Sequence, residues 1–177
     1  DDLLDLSKLE AGKVVYDMRE NNLKEVARAL SDEMSALFKE KGLKLEVESL
    51  SSNVTGVFDS DKIMQVMRNL VSNACKFSTL GTTVRISLEK NEDALRMSVI
   101  NQGIGIPESE LEAVFDKFVQ SSKTKTGAGG TGLGLSICRE IVKQHRGSIR
   151  AESTANGETK FIVEMPSGLG TTQSSAA

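Results

Sequence analysis

The sequence lacks the features that mark several large classes of protein. Its 177 residues include no tryptophan, one tyrosine, one histidine, two prolines and two cysteines. It has no apolar run long enough to span a membrane, no signal peptide and no cysteine spacing typical of a metal site. We therefore expect a cytoplasmic chain without membrane contact, in which Cys75 and Cys138 are small core residues of apolar helices.

The charge and size of the chain exclude further classes. A net charge of −3 gives no basic surface for nucleic acid, so we expect no nucleic-acid partner. A hydrophobic content of 38% is enough to build one core in a domain of this length. These observations predict a compact domain whose function must be found in its local motifs.

The most informative motif is the glycine-rich stretch from Gly127 to Ser136, which runs into an amphipathic helix. Glycines let the backbone approach a ligand closely, and the first N–H groups of a helix are free to bind an anion. This combination favours a phosphate-binding loop, although glycine-rich loops also serve as simple linkers.

A second motif is the helix predicted from Asp61 to Phe77, whose apolar residues follow helical spacing. Asn69, Asn73 and Lys76 project together beside this apolar stripe. Carboxamide oxygens suit Mg²⁺ and an ammonium group suits the phosphates that accompany it. The alternative is an ordinary solvated helix edge.

A third motif lies between these two, where a predicted strand ends in Asn101 and a turn that contains Gly103 and Gly105. The carboxamide of Asn101 can offer a donor and an acceptor to the edge of a base. The two glycines would let a flat ring lie against the backbone. The simpler alternative is a turn without a ligand.

In this order, the segments resemble the catalytic ATP-binding domain of sensor histidine kinases, within the ATPase superfamily that includes gyrase, a heat-shock chaperone and mismatch-repair ATPases. Residues 69–78 resemble the family's N box, residues 101–105 and 127–135 its two glycine boxes, and residues 115–120 its F box. The resemblance covers residues 1–166 and implies ATP and Mg²⁺ as ligands.

The resemblance also implies a role for each site residue. Asn73 would bind Mg²⁺ with Asn69 close by, and Lys76 would contact phosphate. Residues 119–131 would form a lid over ATP, with Phe115 and Phe118 anchoring its base in the core. The phosphates would meet the side chains or backbone of Lys123, Lys125, Gly130, Thr131, Gly132, Leu133 and Gly134.

Two positions affect the expected chemistry. The family's first glycine box begins with an aspartate that accepts a hydrogen bond from adenine, whereas this chain has Asn101. The chain is thus either an active kinase domain or a degenerate module that acts through protein contacts. Related ATPases have a glutamate where this chain has Asn69, and an asparagine cannot take a proton from water. A hydrolytic ATPase of the gyrase kind is therefore disfavoured.

The resemblance implies a domain organisation and partners. Residues 1–12 would end a dimerisation and phosphoacceptor helix, residues 13–166 would form the catalytic domain, and residues 167–177 a disordered tail. The sole histidine, His145, would be structural, so the phosphoacceptor histidine would belong to the separate dimerisation domain, which would pass its phosphoryl group to a response regulator receiver domain. We expect this chain to be monomeric and its parent kinase to be a homodimer.

The pattern of elements predicts an α+β two-layer sandwich, with a mixed and mostly antiparallel sheet packed on three helices. The predicted helices are 22–41, the segment that follows Asp59 or Ser60, and 132–145. The predicted strands are 14–19, 43–48, 54–58, 83–88, 94–100, 148–153 and 159–164.

Overall fold

A computed structural model describes residues 1–123 and 130–168 of the chain. Within these residues the α-helices are α1 (Asp2–Glu10), α2 (Leu23–Glu40), α3 (Ser60–Phe77) and α4 (Gly134–Gln144). The strands within the same residues are β1 (Arg19–Asn22), β2 (Lys44–Ser49), β3 (Thr55–Phe58), β4 (Thr83–Asn91), β5 (Ala94–Gln102), β6 (Ser148–Ser153) and β7 (Glu158–Pro166).

Five strands form the main sheet, in the order β2-β4-β5-β7-β6. Among the strand pairs of the described residues, only β2–β4 is parallel, and β1 and β3 form a separate antiparallel pair. Helices α2, α3 and α4 pack on one face of this sheet, and α1 packs on α4 through buried Leu6 and Leu9. This confirms the predicted two-layer α+β sandwich.

The two long helices begin where the sequence predicts them to begin. The side chain of Asn22 accepts a hydrogen bond from the Lys24 N–H, and that of Asp59 accepts one from the Lys62 N–H. Such caps satisfy backbone donors that have no partner inside the helix. Each helix then buries one apolar stripe, which in α3 consists of Ile63, Val66, Met67, Leu70, Val71, Ala74 and Cys75.

The strand predicted over 14–19 is wrong. The first strand is Arg19–Asn22, paired with Thr55–Phe58. The apolar alternation of the preceding segment has another cause, because the ring of Tyr16 packs edge-on against His145 while Val15 remains 92% exposed. Asp17 donates its backbone N–H to the Asp59 carboxylate rather than to a neighbouring strand.

The C-terminal segment was expected to be a disordered tail over residues 167–177, of which the structure describes residues 167 and 168. Ser167, expected in a disordered tail, donates its N–H to the Asp93 carbonyl and accepts from the Val57 N–H. Residues 169–177, the rest of that tail, lie outside the described residues.

Among the residues that are described, no helix combines the length and the apolarity that crossing a membrane requires.

His145 is a buried structural residue, as its position in the sequence predicts. Its Nε2 accepts a hydrogen bond from the Asp59 N–H at 3.1 Å, and its Nδ1 lies 2.8 Å from the Ile141 carbonyl oxygen. The ring is therefore the neutral tautomer that carries its proton on Nδ1. Burial lowers the pKa of His145, against the opposing effects of the Ile141 carbonyl and the Asp59 carboxylate.

We expect acid to destabilise the fold through His145. Because the pKa is lowered in the folded state, the unfolded chain takes up the proton first as the pH falls below about 6.5. The free energy of unfolding should therefore decrease by about 1.4 kcal/mol for each unit by which folding lowers this pKa. Urea unfolding at about pH 7.5 and about pH 5.5 measures the loss, and NMR titration of the single histidine measures the folded-state pKa.

The His145→Gln variant is the control for this prediction. It should be less stable at both pH values, and the difference between the two should be smaller than in the unaltered chain. An equal pH dependence in both proteins would assign the effect to carboxylates instead.

Candidate active site

A cavity of about 210 Å³ opens between the sheet and the helices α3 and α4. Its floor includes side chains at the end of β5 and the start of β7, and its walls include the second half of α3 and the entry to α4. It brings together residues from all three motifs that the sequence singled out. The predicted site residues that line it are Asn69, Asn73, Lys76, Asn101, Gly105, Gly130, Thr131, Gly132 and Gly134.

Helix α3 provides the polar wall of the cavity. Its buried stripe fixes the helix on the sheet, so that Asn69, Asn73 and Lys76 emerge on the cavity side. The Asn69 amide donates to the Gly134 carbonyl oxygen at 3.3 Å, which leaves its Oδ1 available to a ligand. Lys76 Nζ lies beside the glycine-rich backbone, since a Cβ added at Gly130 would be 3.3 Å from it.

The glycine-rich stretch forms the opposite wall where it enters α4. Gly132 adopts a positive φ of 75°, which an L residue with a side chain rarely adopts. Leu133 is buried, and its N–H donates to Thr131 Oγ1 at 3.3 Å. The N-cap residue of α4, Leu133, provides no side-chain cap of the kind that Asn22 and Asp59 supply to α2 and α3, so the first N–H groups of α4 at the cavity are available to a ligand.

The floor of the cavity is neutral. Asn101 and Thr159 are directly opposite each other on β5 and β7, and both are almost fully buried. Phe161, two residues along β7, adds an apolar surface and packs edge-on against Phe115. An uncharged polar edge beside apolar groups suits a flat heterocycle better than it suits a phosphate.

Five predicted site residues do not line the cavity, namely Gly103, Phe115, Phe118, Lys123 and Leu133. Phe115 is buried, as expected for an anchor. Phe118 is not an anchor in the core, because its side chain is 63% exposed and its φ is 63°. Lys123 Nζ contacts the Ile104 carbonyl oxygen at 3.4 Å, and Lys125 lies outside the described residues.

Sequence reasoning missed several residues of the cavity. Thr159 and Phe161 reach it through the pairing of β5 with β7, which no local pattern reveals. Asp2 reaches it because its carboxylate accepts a hydrogen bond from Thr131 Oγ1 at 3.1 Å. The N-terminal apolar spacing predicted a helix but gave no indication of what that helix would contact.

The two cysteines, Cys75 and Cys138, are not among the residues that line the cavity. Burial raises the pKa of the Cys138 thiol to about 12, against the lowering effect of a hydrogen bond from Asn69. Burial also raises the pKa of Cys75. Both thiols stay protonated at neutral pH and act as core residues, and the described part of the chain has no cluster of three or more His, Cys, Asp or Glu residues able to hold a metal.

The sandwich and its cavity define a nucleotide-binding ATPase fold. The profile of the histidine kinase-, DNA gyrase B- and HSP90-like ATPases matches residues 58–169, and the chain belongs to this family. Within the family it is a catalytic domain of the kind found in sensor histidine kinases.

Similar proteins support this assignment. The chain is 35% identical over 170 residues to hybrid signal transduction histidine kinase D of Dictyostelium discoideum. The aligned segment covers 93% of this chain and 11% of that protein. The catalytic domain of histidine kinase ThkA superposes with a TM-score of 0.76 at 31% identity, covering 86% of this chain and 99% of that domain.

A second ThkA structure, in complex with the response regulator protein TrrA, gives a TM-score of 0.77 at 31% identity over 93% of this chain and 47% of that one. The chain spans only about a tenth to a third of the length of the curated relatives it matches.

Gly103 has a structural role that the geometry makes testable. A Cβ at this position would lie 1.9 Å from the Phe77 carbonyl oxygen, because the end of β5 passes directly against the end of α3. We expect Gly103→Ala to lower the free energy of unfolding by about 1–3 kcal/mol, since the backbone must separate. Urea unfolding at neutral pH provides the measurement.

Gly134→Ala is the matched control for stability. A Cβ there would meet its nearest atom, Asn69 Cγ, at 3.9 Å, and alanine favours the helix. Its stability should equal or exceed that of the unaltered chain. Equal losses in the two variants would contradict the close-contact explanation.

Proposed function

We propose that this chain binds Mg²⁺-ATP in the cavity and positions its γ-phosphoryl group for transfer to a histidine on a separate dimerisation domain. The observation that carries the proposal is the convergence of Asn69, Asn73, Lys76 and the glycine-rich entry to α4 on one cavity. Two carboxamides, an ammonium group and free helix N–H groups form a donor set that fits a magnesium triphosphate.

Each group has a chemical task in this proposal. Bound ATP supplies the phosphoryl group that is transferred. Asn73 provides an oxygen ligand for Mg²⁺, with Asn69 beside it, and Lys76 neutralises phosphate charge. Backbone N–H groups of residues 130–134 hold the phosphate oxygens, while Lys123 and Lys125 of the lid add positive charge. Such positioning and charge neutralisation supply most of the catalysis in phosphoryl transfer.

The acceptor must come from outside this chain. Its one histidine is 4% exposed, and both ring nitrogens are engaged with Asp59 and Ile141. In the proposed step an imidazole nitrogen attacks the γ-phosphorus, the bond to the β-phosphate oxygen breaks, and ADP leaves as the imidazole loses its proton. A response regulator receives the phosphoryl group next, a proposal supported by the complex of the similar kinase ThkA with TrrA.

We expect ATP binding to depend on Mg²⁺ and on the α3 residues. Replacing Asn73 or Lys76 with alanine should weaken binding by about tenfold to a hundredfold, because each change removes a charge-assisted contact. Calorimetric titration with ATP in the presence and absence of Mg²⁺ measures both effects. Lys143→Ala, an exposed lysine in the last turn of α4, is the matched control and should bind as the unaltered chain does.

Absence of ATP binding by the unaltered chain would contradict the proposal. It would favour the alternative, a degenerate module that acts through protein contacts.

The same chain should hydrolyse ATP very slowly. The Asn69 carboxamide cannot accept a proton from an attacking water, and its NH₂ already donates to Gly134. Phosphate release from ATP should therefore be no faster than in the Asn73→Ala variant. A rate well above background that disappears in this variant would instead indicate a hydrolytic ATPase.

A further inference from the structure

A row of three uncharged polar side chains on adjacent strands begins at the floor of the cavity, which its first two members line. Asn101 of β5 is opposite Thr159 of β7, and Thr159 is opposite Ser153 of β6. Directly paired residues point to the same face of a sheet, so the row faces the helices and the cavity. Asn101 is 6% exposed and Thr159 is 4% exposed, so water has little access to either.

The first member of the row can present either a donor or an acceptor. A carboxamide carries an NH₂ donor and a carbonyl acceptor, and a half-turn about its last bond exchanges them. Within residues 1–123 and 130–168, the side chain of Asn101 has no hydrogen-bond partner that would fix its orientation. The carboxamide can therefore present either its NH₂ donor or its carbonyl acceptor to a ligand in the cavity.

The second member can reverse in the same way. Thr159 Oγ1 lies 3.4 Å from Ser153 Oγ, and either hydroxyl can donate in this pair. Ser153 Oγ also accepts from the Ile106 N–H at 3.1 Å, and it does so whichever way its own hydroxyl points. When Thr159 donates to a ligand it accepts from Ser153, and when it accepts from a ligand it donates to Ser153.

This reversibility matches a property of purines. A 6-aminopurine presents a donor at position 6 and an acceptor at N1, whereas a 6-oxopurine presents an acceptor at position 6 and a donor at N1. The row can satisfy the first pattern with the Asn101 carbonyl and the Thr159 hydroxyl proton, and the second pattern with both directions reversed. An aspartate at position 101 would accept only, and its charge would face the O6 of a 6-oxopurine.

We infer that this cavity does not discriminate between 6-aminopurine and 6-oxopurine nucleoside triphosphates, and that Asn101 is the residue that sets this tolerance. The inference rests on the proposed nucleotide function of the same cavity. It adds inosine triphosphate to the substrate class.

The test compares Mg²⁺-ATP with Mg²⁺-ITP by calorimetric titration of the unaltered chain. ITP is the better probe because it differs from ATP at position 6 and N1 without the extra amino group of guanine. The two dissociation constants should agree within about tenfold, since each base finds a full set of neutral hydrogen bonds. Lys76→Ala should weaken both nucleotides by the same factor, which shows that they occupy one site.

The Asn101→Asp variant is the decisive comparison. It should bind ATP at least as well as the unaltered chain and should bind ITP about a hundredfold more weakly than ATP, because the 6-oxo group then faces an unpaired carboxylate. Thr159→Val should weaken the binding of both nucleotides equally, since valine lacks the hydroxyl that donates to a 6-aminopurine and accepts from a 6-oxopurine. Circular dichroism and thermal unfolding establish that each variant is folded.

The outcomes separate this inference from the proposed function. Binding of ATP without ITP by the unaltered chain would overturn the inference and leave the proposed function standing. Binding of neither nucleotide would overturn both. Equal affinities for ATP and ITP that persist in Asn101→Asp would show that position 101 does not read the base, and would also overturn the inference.

Discussion

One buried residue, Asp59, joins the parts of the fold on which the cavity depends. Its carboxylate caps α3 through the Lys62 N–H at 3.0 Å and holds the segment before β1 through the Asp17 N–H at 2.8 Å. Its own N–H donates to His145 at the end of α4. Three segments that are distant in sequence therefore meet at one residue, which is 6% exposed. Hydrogen bonds to a buried carboxylate are among the stronger contacts in a protein interior.

This junction sets the relative position of α3 and α4. The two helices run in opposite directions, so the Asp59–His145 contact joins the start of α3 to the end of α4, and the Asn69–Gly134 contact joins the middle of α3 to the start of α4. Between them, the Cys138 thiol donates to the Val66 carbonyl oxygen at 3.7 Å. Asp59 and Asn69 are separated by about 15 Å along α3, which is the rise of ten helical residues. The buried contacts of Asp59 therefore help to position the parts of α3 and α4 that line the cavity, although Asp59 itself lies away from the cavity.

Local sequence predicted the parts of this arrangement that depend on local physics. Apolar spacing and a capping residue at Asp59 located α3, and therefore its cavity face with Asn69 and Lys76. Long-range pairing was beyond such reasoning, which is why Thr159 was missed although it lies beside Asn101. The resemblance implied that Phe118 is an anchor in the core, but its backbone lies in the left-handed region and the residue is exposed.

Helix α1 contacts both sides of the loop that would form the lid. Glu10 pairs with Lys117 just before the loop at 2.8 Å, and Asp2 accepts a hydrogen bond from Thr131, the last residue of the loop. The Lys117–Glu10 pair is about half exposed, so it stabilises the contact by at most about 1 kcal/mol. Leu6 and Leu9 are almost fully buried, and each contributes roughly 1.5–3 kcal/mol. Apolar packing on α4 thus holds α1 in place, while the polar contacts determine which loop residues it meets.

The neutral side chain of Asn101 also affects the electrostatics of the cavity, apart from the hydrogen bonds it can form. Among the described residues that line the cavity, Lys76 is the one cation and Asp2 the one anion, so their charges cancel. A triphosphate therefore needs a divalent cation, helix N–H groups and lid lysines to balance its charge. A buried aspartate at position 101 would add a second anion to the same low-dielectric cavity. The asparagine forgoes a charge-assisted bond to the base and removes one source of repulsion toward the phosphates, so the gain in ATP affinity expected of Asn101→Asp is smaller than the charge-assisted bond alone would give.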